Sequence, residues 1–401
     1  MRATATGPDG RSFDIDDEHL ASARAQLGQA QAPPVRLAFA AAHVVLAPSY
    51  LEVDHSLQRP GRPDEIAPHL DLDTTMALRR HLDAHGFGVA EAMDTAQRFH
   101  LGWQNAERLI RACGDLRLRH GFVAGAGVDH LPAIRGKDDL AAGVVYQVEA
   151  IQASGGIAMI LPMAWLAQTG ASVQDYVDVY GAIFAACTGP LFVHWLGDMF
   201  LPALAGYFPG DSFARVMALS PDKVRGCKLS LLDADFEKRV RAELLPRDQI
   251  VLTGDDWNFA DLIAGDDSTV RRHTRIGAHD VALGEFSHAL LGVFDGVAVP
   301  AGLALQALAQ ERSDLYGGIM RPCEGYGRVV FEPPTQHYKA GLAFTAWLNG
   351  LQADFTLVNH EEKSRDHDHY LRVAAAATRC GALTDARLAA SRLRALESGS
   401  R

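Results

Sequence analysis

The sequence predicts an α/β protein, a (β/α)8 TIM barrel followed by a C-terminal helical appendage. Three observations point there. Short apolar runs of strand length alternate with stretches of helical spacing, which implies parallel strands joined by crossover helices. The alternation recurs through eight units, with strand starts from the third onward roughly 25 to 35 residues apart, about the length of one βα unit, and eight units suggest closure. Polar side chains collect at the C-terminal ends of the runs, where such barrels carry their active sites.

Residues 1–34 are polar and Ala/Gln-rich, end in Pro33-Pro34, and read as an extension with a short helix around Asp17 to Leu27. The barrel is expected over 35–312. VRLAFAAAHVVL from Val35 is the first strand, and Leu72 to His85 its helix, with Asp71 or Asp73 as N-cap. Gly86 to Met93 precedes a helix over Thr95 to Cys113. LRHGFVAGAGVDH precedes one over Asp138 to Ser154. Gly155 to Pro162 pairs with Val173 to Cys187, and Gly189 to Gly197 with a helix near Ser212 to Ser220. VRGCKLSLL (Val224 to Leu232) pairs with Phe236 to Leu245, and QIVLTGDD (Gln249 to Asp256) with Phe259 to Ala264. An eighth strand falls within Val281 to Phe294, followed by a helix over Gly302 to Arg312. In the C-terminal region, 313–401, Tyr338 to Leu351, His367 to Cys380 and Asp385 to Leu396 read as amphipathic helices. An open, doubly wound sheet is the alternative. Gly125 and Gly127 give only part of the dinucleotide fingerprint, and after the third strand rather than the first.

At 48% hydrophobic and 22% charged residues, the chain has the composition of a globular protein with a large core. A net charge of -11 without runs of Lys or Arg argues against a nucleic-acid partner and for a small-molecule one. The five cysteines are scattered and never form a Cys-x-x-Cys pair, so a reducing, cytoplasmic setting is expected. The N-terminus has no apolar core of signal-peptide length, and no apolar run is long enough for a membrane span.

The sixth strand places Lys228 among apolar neighbours. Desolvation there disfavours the ammonium, and a neutral lysine amine is a nucleophile suited to Schiff-base chemistry with a carbonyl compound. The plainer reading has Lys228 capping the strand and pairing with Asp233 or Asp235. Around it, the strand ends supply His43, Glu91, Asp94, Asp129, His130, His194, Trp195, Ser230, Asp255, Asp256, Glu285, Ser287 and His288. Individually these residues suit helix caps or satisfied buried histidines; together they make a ring of acid and base candidates around one mouth.

LFVHWLG, VRGCKLS and VLTGDD, in that order, resemble strands five to seven of the dihydrodipicolinate synthase and N-acetylneuraminate lyase superfamily of class I aldolases. VAGAG is similar to its third strand, and FEPPTQHYK (Phe331 to Lys339) to the segment opening its C-terminal helices. The chain as a whole looks like an uncharacterised dihydrodipicolinate-synthase-like family. The resemblance implies that Lys228 forms the Schiff base and that His194 stands where a tyrosine relays protons. Ala92, Met93, Asp94 and Thr95 replace the G-T-T-G motif that holds a keto-acid carboxylate. Met163 and Ala164 replace a tyrosine pair, and Met199 a carboxylate-binding arginine. Glu91 and Asp94 would repel a carboxylate, so a hydroxyl-rich keto compound, a keto sugar or sugar-derived keto acid, is expected in place of pyruvate.

With Lys228 and His194 as catalytic residues, Glu91, Asp94, Asp129, His130, Trp195, Ser230, Asp255, Asp256 and His288 are the expected substrate contacts. No cofactor beyond the covalent lysine is expected, and the resemblance implies a homo-oligomer, dimer or tetramer. Two alternatives stand beside this reading. One is a lyase or isomerase using a divalent metal on some of Asp129, His130, Asp255, Asp256, Glu285 and His288. The other is a non-catalytic carbohydrate-binding barrel.

Overall fold

The structure, a computed structural model, describes residues 1–7, 9–29 and 32–397. The strands are β1 (Arg2–Thr6), β2 (Ser12–Asp16), β3 (Ala38–Ala41), β4 (Gly88–Glu91), β5 (Phe122–Ala126), β6 (Ile157–Ile160), β7 (Leu191–Leu196), β8 (Val224–Ser230), β9 (Ile250–Thr253), β10 (Asp267–Ile276), β11 (His279–Glu285) and β12 (His288–Leu291). Strands β3 to β9 and β12 close into a parallel barrel, β12 bridging β9 and β3. Six of the eight are buried at every position, as expected of strands covered by side-chain packing within and helices without.

Helices follow the strands with caps legible in sequence. Asp71 accepts from Thr74 N–H at the start of Leu72–Ala84, and Ser172 and Asp175 form a capping box at Val173–Ala186. Asp233 accepts from Phe236 N–H to start Ala234–Leu244. Asp233 is therefore a helix cap, and the plainer role for Lys228, an ion pair with it, is not what the structure shows.

Four elements differ from expectation. The run Val281 to Glu285 is half of an antiparallel hairpin, β10–β11, inserted before the eighth strand, which is confined to His288–Leu291. Ile276, Val281 and Leu283 of this hairpin join Phe39, Ile157 and Ile250 in the cluster inside the barrel and plug its N-terminal end. The helix after the eighth strand spans Phe294–Ala309, with Pro300 inside it. A further helix, Ser313–Val330, forms despite Gly317, Gly318, Pro322, Gly325 and Gly327, poor helix formers all. Its buried face of Tyr316, Ile319, Met320, Cys323, Tyr326 and Val330 holds it through tertiary packing. Lastly, the N-terminal residues form the hairpin β1–β2, docked on the C-terminal helices with Ile15 fully buried, ahead of the expected short helix, Ala21–Leu27, which packs against Phe294–Ala309.

The remaining C-terminal helices are Lys339–Leu348, His367–Cys380 and Ala386–Glu397. All five cysteines are free and buried. Among the described residues no helix is long and apolar enough to cross a membrane.

Candidate active site

Side chains alternate faces along a strand. On β8, Cys227 and Leu229 pack outward into the core shared with the helices, which turns Lys228 into the barrel. The parallel register sets His194 of β7 directly beside Lys228, and Leu196 beside Ser230. These residues line a narrow cavity at the C-terminal mouth, with about 50 Å³ of free space. Met93, Asp94, Thr95, Asp256, Gly292, Phe331 and Tyr338 complete its inner wall, and Phe99, Leu161, Leu196, Phe200 and Leu201 its apolar surround.

The Lys228 amine makes no hydrogen bond or ion pair with any described residue. Burial pushes it down to about 8, against the opposing pull of Asp256 and Asp94. Asp256, 4% exposed at the end of β9, accepts the Val293 N–H at 3.0 Å through Oδ1. Burial pushes its carboxyl up to about 7, with Asp255 adding to the rise and Lys228 opposing it. His194 contacts Ser230 Oγ at 3.2 Å through Nε2, and its Nδ1 is buried without a protein partner among the described residues. Burial, then the neighbouring Lys228, holds this imidazole well below its usual range, so it is neutral.

The other wall comes from the loop after β4 and from the C-terminal segment. Asp94 pairs with Lys339 Nζ at 3.1 Å, and Thr95 Oγ1 hydrogen-bonds the Tyr338 hydroxyl at 2.8 Å. Tyr338 stacks on Phe331 with centroids 4.3 Å apart. Glycines make the room. A Cβ on Gly254 would lie 2.7 Å from Lys228 Cε, and one on Gly292 3.1 Å from both Phe331 and Tyr338. Gly327 brings helix Ser313–Val330 against Asp256, whose carbonyl oxygen would lie 2.5 Å from a Cβ there.

Of the residues expected at the mouth, Lys228, His194, Asp94, Ser230 and Asp256 meet around this cavity. The others do not line it. Glu91 forms a bidentate pair with Arg79 at 2.8 and 2.9 Å, both side chains fully buried behind β4. Asp129 is held by Arg98 and Gln147, and His130 by Gln147 with its ring against Tyr146. Trp195 faces outward into an aromatic cluster with Phe208, Phe213 and Phe236. Asp255 accepts from the Trp257 and Asn258 N–H groups and so fastens the turn. His288 begins β12 at the opposite end of the barrel, bonded to Leu37 N–H and the Ala282 carbonyl. His43 lies between Asp295 and Gln352, Glu285 pairs with Arg271, and Ser287 donates to Glu237. Among the described residues no group of three or more His, Cys, Asp or Glu is placed to hold a metal ion.

Sequence reading missed Thr95 as a hydrogen-bonding wall residue, Phe99, Gly254 and Tyr338. For Tyr338 a signal existed: a tyrosine beside a lysine, just after Pro333-Pro334 and at the start of an apolar helix.

Solved structures with this architecture include dihydrodipicolinate synthase from Agrobacterium tumefaciens, at 18% identity and a TM-score of 0.57 over 86% of this chain and 98% of that one. YagE from E. coli K12, a prophage protein belonging to the dihydrodipicolinic acid synthase family solved in complex with pyruvate, matches at 13% identity and a TM-score of 0.61, over 90% and 98%. N-acetylneuraminate lyase from Mycoplasma synoviae matches at 12% and 0.57, over 86% and 98%. At these identities the likeness is one of fold. No curated protein matches the sequence. A family model does, over residues 11–398, and the chain accordingly belongs to the protein family of unknown function DUF993.

Proposed function

We propose that the protein is a Schiff-base-forming lyase, an aldolase or dehydratase, acting on a keto compound through Lys228. The observation that carries this reading is a lysine amine without a hydrogen bond or ion pair among the described residues, pushed down to about 8 by burial, in a narrow cavity at the C-terminal mouth of a closed barrel. The fold shared with dihydrodipicolinate synthase and N-acetylneuraminate lyase supports it.

Neutral Lys228 adds to the substrate carbonyl, and loss of water gives an iminium. That cation draws electrons from the adjacent carbon, which favours loss of a proton there or cleavage of a carbon–carbon bond one atom further on. A keto sugar suits the lining better than a keto acid. Asp94, Thr95, His194, Ser230, Asp256 and Tyr338 share hydrogen bonds with hydroxyls, whereas Asp94 and ionised Asp256 repel an added carboxylate. The divalent-metal alternative loses ground because its proposed ligands are dispersed: Asp129 and His130 are held together by Gln147, whereas Glu285 pairs with Arg271 and His288 bonds the Ala282 carbonyl elsewhere.

Borohydride reduction in the presence of pyruvate, hydroxyacetone, dihydroxyacetone and a panel of keto sugars, followed by peptide mass spectrometry, tests the reading. A reduced adduct on the Lys228 peptide, absent in Lys228→Ala, is expected. Absence of an adduct with every compound would count against Schiff-base chemistry.

A further inference from the structure

Resting on the Schiff-base reading, we infer that Asp256 is the acid–base group that serves Lys228, giving the proton that lets water leave and taking the proton from the carbon beside the iminium. Asp256 lines the same narrow cavity as Lys228 and is almost fully buried. Its Oδ1 is fixed by Val293 N–H, and its Oδ2 has no protein partner among the described residues. One oxygen is therefore anchored and the other is available to a substrate.

The neighbouring groups are less well placed to move a proton. The Asp94 carboxylate is spoken for by Lys339, and the Tyr338 hydroxyl by Thr95. His194 is held neutral and so carries no proton to spare as an acid. Asp256, pushed up to about 7 by its burial, holds and releases a proton near neutrality, the condition for efficient acid–base work.

The steps balance. Lys228 Nζ bonds to the carbonyl carbon, and one of its protons passes to the oxygen, giving a carbinolamine. Protonated Asp256 gives its proton to that hydroxyl; the C–O bond breaks, water leaves, and the nitrogen lone pair forms the C=N bond of the iminium. The Asp256 carboxylate then removes a proton from the adjacent carbon, and the C–H electron pair moves in to give the enamine. Asp256 is again protonated, and the net products are enamine and one water.

Deuterium uptake from D2O into hydroxyacetone, followed by NMR, reads the second proton step, and borohydride trapping reads the iminium. With Asp256→Asn, trapping on Lys228 should slow, because the acid that expels water is lost, yet reach the wild-type extent on long incubation, while the rate of deuterium uptake falls about 100-fold, within the usual range for losing a general base. Asp256→Glu should recover part of that loss. If the Asn variant does not fold, Asp256→Ser replaces it, with the same expectation. Uptake within threefold of wild type in the Asn or Ser variant would overturn the inference. So would a loss in the final extent of trapping that parallels the loss of uptake in all variants, Asp256→Glu included, the mark of a residue that only positions Lys228. A wild-type protein that traps none of the carbonyl compounds fails at the Schiff-base reading itself, before any Asp256 variant is compared, and removes the inference with it.

Discussion

Gly254, just past the end of β9, lies so close to Lys228 of β8 that a Cβ on the glycine would stand 2.7 Å from Lys228 Cε, 2.8 Å from the Leu229 carbonyl oxygen and closer still to Ser230 Oγ. The lysine side chain lies over the glycine. Two of the three obstacles are side chains that would have to move, and the third is backbone.

Gly254→Ala is therefore expected to displace the Lys228 amine without removing it. Misplacing a reacting group by about 1 Å costs on the order of 100-fold in rate. Overpacking adds roughly 1–3 kcal/mol of destabilisation. The trapping rate on Lys228 and the melting temperature check both, and an unchanged trapping rate would show that the lysine finds another path to the cavity.

The depressed Lys228 amine sets a pH dependence. Trapping requires the neutral amine, so its rate should rise through a midpoint near pH 8, where an ordinary lysine would still be almost wholly protonated. The linked effect on stability has a definite sign. Between about 8 and the ordinary lysine value of 10.5, the unfolded chain binds the proton and the folded chain does not, so this group makes stability rise with pH across that window. In Lys228→Met that contribution should disappear from the pH dependence of the denaturation midpoint, together with all trapping.

Asp94 stands at the cavity with Lys339 as its counter-ion. Asp94→Asn removes a negative charge from the wall and should shift selectivity toward carboxylate-bearing ketones. The ratio of pyruvate to hydroxyacetone trapping should rise about tenfold, the effect of roughly 1.4 kcal/mol. An unchanged ratio would place the discrimination elsewhere.

Glu91 tests the distinction between site and scaffold. Glu91→Ala strands Arg79 as an unpaired buried cation, and breaking such a pair costs about 3–5 kcal/mol. A large fall in the denaturation midpoint is expected, with trapping per folded molecule little changed. A stable variant with impaired trapping would return Glu91 to the substrate.

These contrasts show what the sequence carried. Lys228 was legible because it interrupts an apolar run of a predicted barrel strand and Asp256 because it ends one, and the fold brings both to one mouth. Glu91 and Trp195 end similar runs yet face outward. In a strand buried on both sides, hydropathy does not say which face looks inward. The apolar run Val281 to Glu285 reads as a parallel strand, and its place in a hairpin depends on what it packs against, the open bottom of the barrel. The alternating hairpin Arg2 to Asp16 is largely polar and hides its strand character. Helix Ser313–Val330 is obscured by its glycines and its proline, since tertiary contacts outweigh propensity there. Tyr338 was missed because its neighbours in the cavity are distant in sequence.

The approach of Gly327 to Asp256, and the stack of Phe331 on Tyr338, bear on how the protein is made. During synthesis, chains emerge from the N-terminal end. A nascent chain that has completed every barrel strand, up to Leu291, still lacks one wall of its own cavity. Only when residues through Tyr338 have left the ribosome can the pocket close around Lys228, so the reactive amine is enclosed late, after the barrel that carries it has been synthesised.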